Sequence, residues 1–269
     1  MLSFLPSKQN RRQAVVKSAL SSALTAVLTG AVLIAHPLAQ TDPPTPTVAQ
    51  IFDAYINATG GKAAYAKLTS TVTTGTFSIT GQKIKGNYEV QAKAPNKIHI
   101  SQTIESLGKT DQGYDGNTGW SRDPINGLRM LSGAELAQLK EQARFNGLLF
   151  WKEMYPKTEV LGIRPVGSAK AYAVRLTPAA GKPTIQYFDV TTKLLVRQDQ
   201  MVESPQGSIP TESYPSNWKA VDGVKQPYTM RQVVAGSNEI ITISTSIKNN
   251  TAIPDSVFVK PADTASPRK

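Results

Sequence analysis

The sequence predicts a mainly β domain, an antiparallel meander broken once by a helix, and three observations carry that reading. Apolar and polar residues alternate with a period of two in separate runs, as in Tyr88, Val90 and Ala92 against Glu89, Gln91 and Lys93. Short turn signals join these runs, which antiparallel strands allow and parallel strands do not. A stretch of helical spacing, from Ser132 to Asn146, interrupts them.

Residues 1–39 read as a secretory signal peptide. Lys8, Arg11, Arg12 and Lys17 form a basic start, Ala19 to Ala35 an apolar stretch, and Pro37-Leu38-Ala39 a small-residue exit. That stretch exceeds the ~7 to 15 residues of a usual apolar region, so an uncleaved membrane anchor is the alternative. Arg11-Arg12 leaves the twin-arginine route open beside the general secretory one. Residues 40–47 follow as a Pro-rich linker with Pro43, Pro44 and Pro46, and 262–269 are expected to be a disordered tail. One domain, 48–261, lies between them.

Its first element, Val48 to Ala58, sets Val48, Ile51, Phe52, Tyr55 and Ile56 at helical spacing and stops at Gly60-Gly61. A short helical turn, Ala63 to Leu68, is expected next, and strands begin near Thr71. The two-residue repeat recurs at Ile98 and Ile100, at Tyr172, Val174 and Leu176, at Ile185 and Tyr187, and at Ile241, Ile243 and Ile247. Each run is read with those residues on its apolar face. Asp115-Gly116 and Asp222-Gly223 supply the positive φ angles of tight hairpins. Thr80-Gly81, Ala94-Pro95-Asn96, Ala180-Gly181 and Gly236-Ser237-Asn238 mark further reversals. The interrupting helix opens with a capping-box pair, Ser132 and Glu135, and carries Leu136, Leu139 and Ala143 on one face.

Composition narrows the chemistry. The chain has no cysteine, which excludes a disulfide framework and a thiolate metal site. Its 30 basic and 19 acidic residues give a net charge of +11; removing the four basic residues of the signal lowers this to +7. The basic residues are scattered, so they read as a solvated surface, with weak attraction to anionic membranes as the lesser alternative and no nucleic-acid partner. After the signal, His99 is the only histidine; its apolar neighbours Ile98 and Ile100 face inward, which turns it outward. There is no Gly-x-Ser-x-Gly elbow, phosphate loop or HExxH, so no enzyme, metal or cofactor is expected.

What remains is the apolar run Leu148-Leu149-Phe150-Trp151 with Met154 and Tyr155. It reads either as ordinary core between helix and sheet, or as a lid over a cavity suited to acyl chains.

The order of elements then resembles the periplasmic outer-membrane lipoprotein-sorting proteins, the LolA/LolB-like superfamily. The likeness rests on the helix ending in Gly60-Gly61, on Tyr114-Asp115-Gly116-Asn117-Thr118-Gly119-Trp120, on Val221-Asp222-Gly223-Val224-Lys225-Gln226-Pro227, and on Ile253-Pro254-Asp255-Ser256-Val257-Phe258. It implies an incomplete antiparallel β-barrel, a curved meander sheet with helices covering its concave face, that carries acyl chains in the periplasm. Lacking a cysteine to lipidate, the chain departs from members that are themselves lipoproteins.

The expected function is a monomeric periplasmic binding or carrier protein for an acyl chain, lipid or lipoprotein, with membrane acceptor proteins as further partners. Its expected ligand-binding residues are Phe77, Ile79, Tyr88, Val90, Ile98 and Ile100 from strands, with Leu149, Phe150, Trp151 and Met154 from the lid. The alternative is an envelope interaction or sensor domain that recognises partner proteins without transport and has a filled core.

Overall fold

A computed structural model describes residues 45–105 and 107–262; the expected signal peptide, most of the linker and nearly all of the tail lie outside the described residues. Helix α1 (Val48–Ala58) starts where the sequence places it, on a capping box made by Thr47 and Gln50, and α2 (Lys62–Tyr65) follows the Gly60-Gly61 stop. The chain then makes β1 (Ser70–Ile79), β2 (Ile84–Lys93), β3 (Lys97–Ile104), β4 (Gly108–Tyr114), β5 (Gly119–Asp123) and β6 (Gly127–Met130). Next come α3 (Gly133–Ala143), a 3-10 turn (Gly147–Phe150) and α4 (Trp151–Met154). A second meander completes the fold: β7 (Lys157–Val166), β8 (Ala169–Thr177), β9 (Thr184–Asp189), β10 (Leu195–Ser204), β11 (Gly207–Val221), β12 (Val224–Val234) and β13 (Asn238–Asn249).

All 13 strands form one antiparallel sheet in the order β6-β5-β4-β3-β2-β1-β13-β12-β11-β10-β9-β8-β7. The chain therefore begins in the middle, runs out to one edge, crosses to the other edge through α3 and α4, and returns to pair β13 with β1. The sheet stays open between β6 and β7, and the helices cover its concave face. Under α3, the side chains Leu131, Leu139 and Ala143 pack on Ile98 and Tyr114, with Val90, Ala92, Ile100 and Leu136 around them. Under α1, Ile51 and Phe52 pack on Val174, Leu176 and Phe188. Each fully buried aliphatic or aromatic side chain contributes roughly 1.5–3 kcal/mol, so these two clusters hold the helices to the sheet.

Three expectations change. Ser132 stands at the N-cap of α3 but makes no side-chain cap; Glu135 instead takes a bidentate pair from Arg129, with N–O distances of 2.8 and 2.7 Å. A charged fork of this kind outcompetes a single backbone amide. Ile185 and Tyr187 face the convex side, because β9 sets Gln186 opposite Val174 and Phe188 opposite Tyr172. A bulge in the β1–β13 pairing leaves Thr245 without an opposite residue, so Ile247 faces inward opposite Thr73 while Ile241 and Ile243 face outward.

The end of α1 is fastened to the β11–β12 hairpin. The Lys225 N–H donates to the Thr59 carbonyl at 2.8 Å, and a Cβ on Gly60 (φ 132°) would stand 2.2 Å from the Gly223 carbonyl oxygen. Gly60→Ala is therefore expected to destabilise by about 2 kcal/mol or more, against about 1 kcal/mol for Gly236→Ala, where φ is also positive but space is open. Urea unfolding of the two variants checks this, and equal losses would remove the close approach as the reason for a glycine at 60.

Candidate functional site

Helix α3 treats the two halves of the sheet differently. Toward β2–β5 it is seated by apolar contact, whereas toward β9 and β10 it stands off and encloses a cavity of about 240 Å³. Phe52, Leu148, Trp151, Met154 and Leu195 supply apolar wall; Gln138, Glu141, Gln186, Gln198, Gln200, Glu203 and Lys182 supply polar wall. Trp151 lies stacked on Phe52, ring centroids 4.9 Å apart, which fixes the indole at the edge of the α1 cluster. The Tyr155 hydroxyl donates to Glu141 at 2.5 Å, and burial together with that carboxylate raises the phenol well above its ordinary value, so it remains a donor. An adjoining depression of about 380 Å³, walled by Leu136, Ala137, Pro178 and Ala179, shares Glu141, Met154 and Ala180 with the cavity.

The polar floor follows from register. Residues directly opposite in antiparallel strands share a face, and Val174, Gln186, Gln198, Ser213, Gln232, Ile240 and Ile79 form one continuous cross-strand row from β8 to β1 on the concave side. Gln186 Nε2 donates to Gln198 Oε1 at 3.1 Å, and Gln198 Nε2 to Gln200 Oε1 at 2.8 Å. Sequence reading missed these glutamines because a polar residue in an alternating strand is assigned to solvent by default; the available signal was the short run Gln198, Gln200 beside a strand of the opposite parity.

Of the residues expected to bind ligand, Trp151 and Met154 line the cavity. Val90, Ile98 and Ile100 share the concave face but belong to the cluster sealed under α3. Phe77 and Tyr88 lie on the same face nearer its centre; the Tyr88 hydroxyl is 2.8 Å from the Ser244 hydroxyl, and its ring passes over Gly75. Ile79 ends the cross-strand row described above. Leu149 packs with Ile56, Tyr65, Leu68 and Val224, and the Phe150 ring lies 4.0 Å from the Arg144 guanidinium.

One contact ties the cavity's roof to its floor. β9 pairs with β10 only between Leu195 and Asp199, so farther along β10 the backbone faces an empty strand position. Gln138 of α3 fills it: its Nε2 donates to the Met201 carbonyl at 2.8 Å and its Oε1 accepts from the Glu203 N–H at 3.1 Å. Each such bond is worth about 1 kcal/mol net. Gln138→Ala is expected to lower stability by about 1–2 kcal/mol and to speed amide exchange in α3 and at the end of β10, with β1–β3 unchanged. Unchanged exchange at those two places in a mass-spectrometric measurement would deny the side chain this role.

His99 lies on the convex face, as its neighbours imply, but is mostly covered, with 15% of its side chain exposed. Its Nε2 is 3.4 Å from Asp111 Oδ1, its Nδ1 is buried without a hydrogen-bond partner, and Trp120 lies beside it with ring centroids 5.8 Å apart. Asp111 is itself buried and is held by Arg122 at 2.7 Å and Lys109 at 3.1 Å. Burial lowers the His99 pKa, and Lys109 adds to this against the opposing pull of Asp111 and Glu89. The native state thus resists protonation: stability is full above the unfolded value of about 6.5 and falls as pH drops toward the folded one. Urea midpoints of the protein are expected to decline from pH 7.5 to 5.5, and His99→Phe to flatten that slope; a wild-type midpoint constant over this range would contradict it.

Among the described residues no three His, Cys, Asp or Glu side chains cluster to hold a metal ion, and no helix is long and apolar enough to cross a membrane. No family model and no curated protein matches the chain. Solved structures do. A DUF1329 family protein from Desulfovibrio piger superposes with a TM-score of 0.55 at 14% identity, covering 80% of this chain and 98% of that one. A LolA superfamily protein from Nitrosomonas europaea gives 0.55 at 13% identity, with 80% and 99% covered. An outer membrane lipoprotein-sorting protein domain from Vibrio parahaemolyticus gives 0.54 at 9% identity, with 79% and 97% covered. At such identities the likeness is one of architecture, and this chain has the open, helix-covered half-barrel fold seen in the LolA superfamily.

Proposed function

We propose that the protein is a non-catalytic binding or carrier protein of the periplasm, exported by its N-terminal leader, which holds the hydrocarbon of a lipid or lipoprotein between the concave sheet face and the α3–α4 lid. The observation that carries this is the cavity at Trp151 and Met154: the sheet's own side chains and the helices leave about 240 Å³ unfilled there. An apolar cavity of roughly 150 Å³ suffices for benzene, so this one has room for a short alkyl segment. Each methylene moved into it from water contributes about 0.8 kcal/mol. The adjoining depression along Leu136, Ala137 and Pro178 gives a longer chain somewhere to continue. The shared fold with lipoprotein-sorting structures supports the same reading.

N-phenyl-1-naphthylamine, an uncharged apolar fluorophore, is expected to brighten on adding the protein and to be displaced by lipid extracted from the envelope. Trp151→Ala should weaken its uptake about tenfold, the loss of one well-packed aromatic wall, while Ile100→Ala should lower stability and leave uptake unchanged. No fluorescence gain, with no lipid retained by protein purified from its own envelope, would sink the proposal.

A further inference from the structure

Resting on that reading of the cavity, the charges and amides of its floor indicate which head group the guest carries. The chain as a whole is strongly basic, at +11, yet the cavity wall holds two carboxylates, Glu141 and Glu203, and one ammonium, Lys182. That ammonium is already engaged, 3.4 Å from Glu203 and hydrogen-bonded by its Nζ to the Ser208 hydroxyl. No arginine lines the cavity among the described residues; Lys140 and Arg144 line the adjoining depression instead, where the Arg144 guanidinium is 3.1 Å from the Glu153 carboxylate. A phosphate or carboxylate head would enter a low-dielectric space with an excess of like charge and without the guanidinium fork that normally receives it.

Uncharged hydrogen-bonding groups meet the opposite situation. Gln186, Gln198 and Gln200 form a chain of carboxamides in which each internal bond uses one N–H and one carbonyl. A carboxamide has two N–H donors and an oxygen that accepts twice, so most of this capacity is left over. Among the described residues, the Gln200 amide has no protein acceptor and the Gln186 carbonyl no protein donor. These spare groups, on residues that line the cavity, offer both donors and acceptors, which complements hydroxyls and amides, whereas an anion finds donors without a countercharge. The apolar wall of Trp151, Met154 and Leu148 lies in the same cavity, so a single molecule with one oily and one neutral polar part satisfies both.

We propose that the Gln186–Gln198–Gln200 row is a head-group subsite for an uncharged lipid head bearing hydroxyl or amide groups, and that it discriminates against anionic lipids. Binding to vesicles would mix surface charge effects with those of the cavity, so the test uses single-chain lipids below their micelle concentration.

Displacement of N-phenyl-1-naphthylamine is compared for monolauroylglycerol, dodecyl phosphate and dodecyltrimethylammonium, which carry chains of equal length. Monolauroylglycerol is expected to displace the probe at about tenfold lower concentration than dodecyl phosphate, the worth of one or two hydrogen bonds, with dodecyltrimethylammonium between the two. Gln198→Leu with Gln200→Leu should erase that advantage when the three lipids are compared with one another on the variant at its own probe affinity, and Gln200→Lys should turn the preference toward dodecyl phosphate. Equal displacement by all three, or preference for either ion by the unaltered protein, overturns the head-group assignment and leaves the hydrocarbon site standing. Failure of the protein to take up the probe at all overturns both.

Discussion

The whole architecture follows from one constraint: a sheet that pairs its first strand with its last, yet never joins β6 to β7, has a concave apolar face that strands alone cannot enclose. Exposed apolar area on that scale is costly at roughly 25 cal/mol per Å². The chain meets the constraint with the two segments that are not strand. Helix α1 precedes the sheet and packs on β8 and β9, joined there by Trp151 of α4, while α3, spliced between the two free edges, packs on β3 and β4 and reaches across to β10. Because α3 and α4 must span from β6 to β7, they lie across the opening of the half-barrel, and the space they fail to fill is the cavity.

The motifs that mark the sequence turn out to touch one another. Gly60, at the end of α1, meets the Gly223 carbonyl of the Asp222-Gly223 hairpin so closely that position 60 has no room for a side chain. Trp120, which ends the Tyr114–Trp120 stretch, donates its indole N–H to the Phe258 carbonyl at 2.8 Å, and Phe258 is fully buried on the convex face. Lys93 and Lys97 hold Asp255 of the same C-terminal segment, at 2.9 and 2.8 Å, and keep its carboxyl at about 2. These pairs fix the ends of the chain to the sheet, one on each face. They concern the fold, and none of them reaches the cavity.

That division explains what was legible in the sequence. Turns and helix limits were, because glycine, aspartate, asparagine and proline act through local backbone geometry: Asp222 and Gly223 both have positive φ, and α1 runs from Val48 to Ala58 as its spacing implies. The facing of individual strands was less so, since it depends on a partner far along the chain. Thr245, an extra residue opposite the Thr74–Gly75 step, reverses which isoleucines of β13 are inside, and nothing local to Ile241 or Ile243 announces it. For the same reason Gln186, which the reading of Ile185 and Tyr187 as the apolar face turned outward, lies on the concave floor opposite Gln198. The aromatic run was found, but its members were dispersed by a 3-10 turn followed by a helical one, which sends Leu149, Phe150 and Trp151 in three directions.

The two sides of α3 also differ in how firmly they are held. Toward β3 and β4, Leu139 and Ala143 are buried to 3% and 1% exposure, and removing them from that contact returns several kilocalories of apolar surface to water. Toward β10 the direct hydrogen bonds are the two made by the Gln138 carboxamide, each of which water replaces at a cost near 1 kcal/mol. The weaker attachment is therefore the one over the cavity. A guest that fills the space beneath α3 competes only with those two bonds and gains the burial of its own chain, so the energetics of seating the helix and of admitting a hydrocarbon are separated onto opposite faces of the same eleven-residue element.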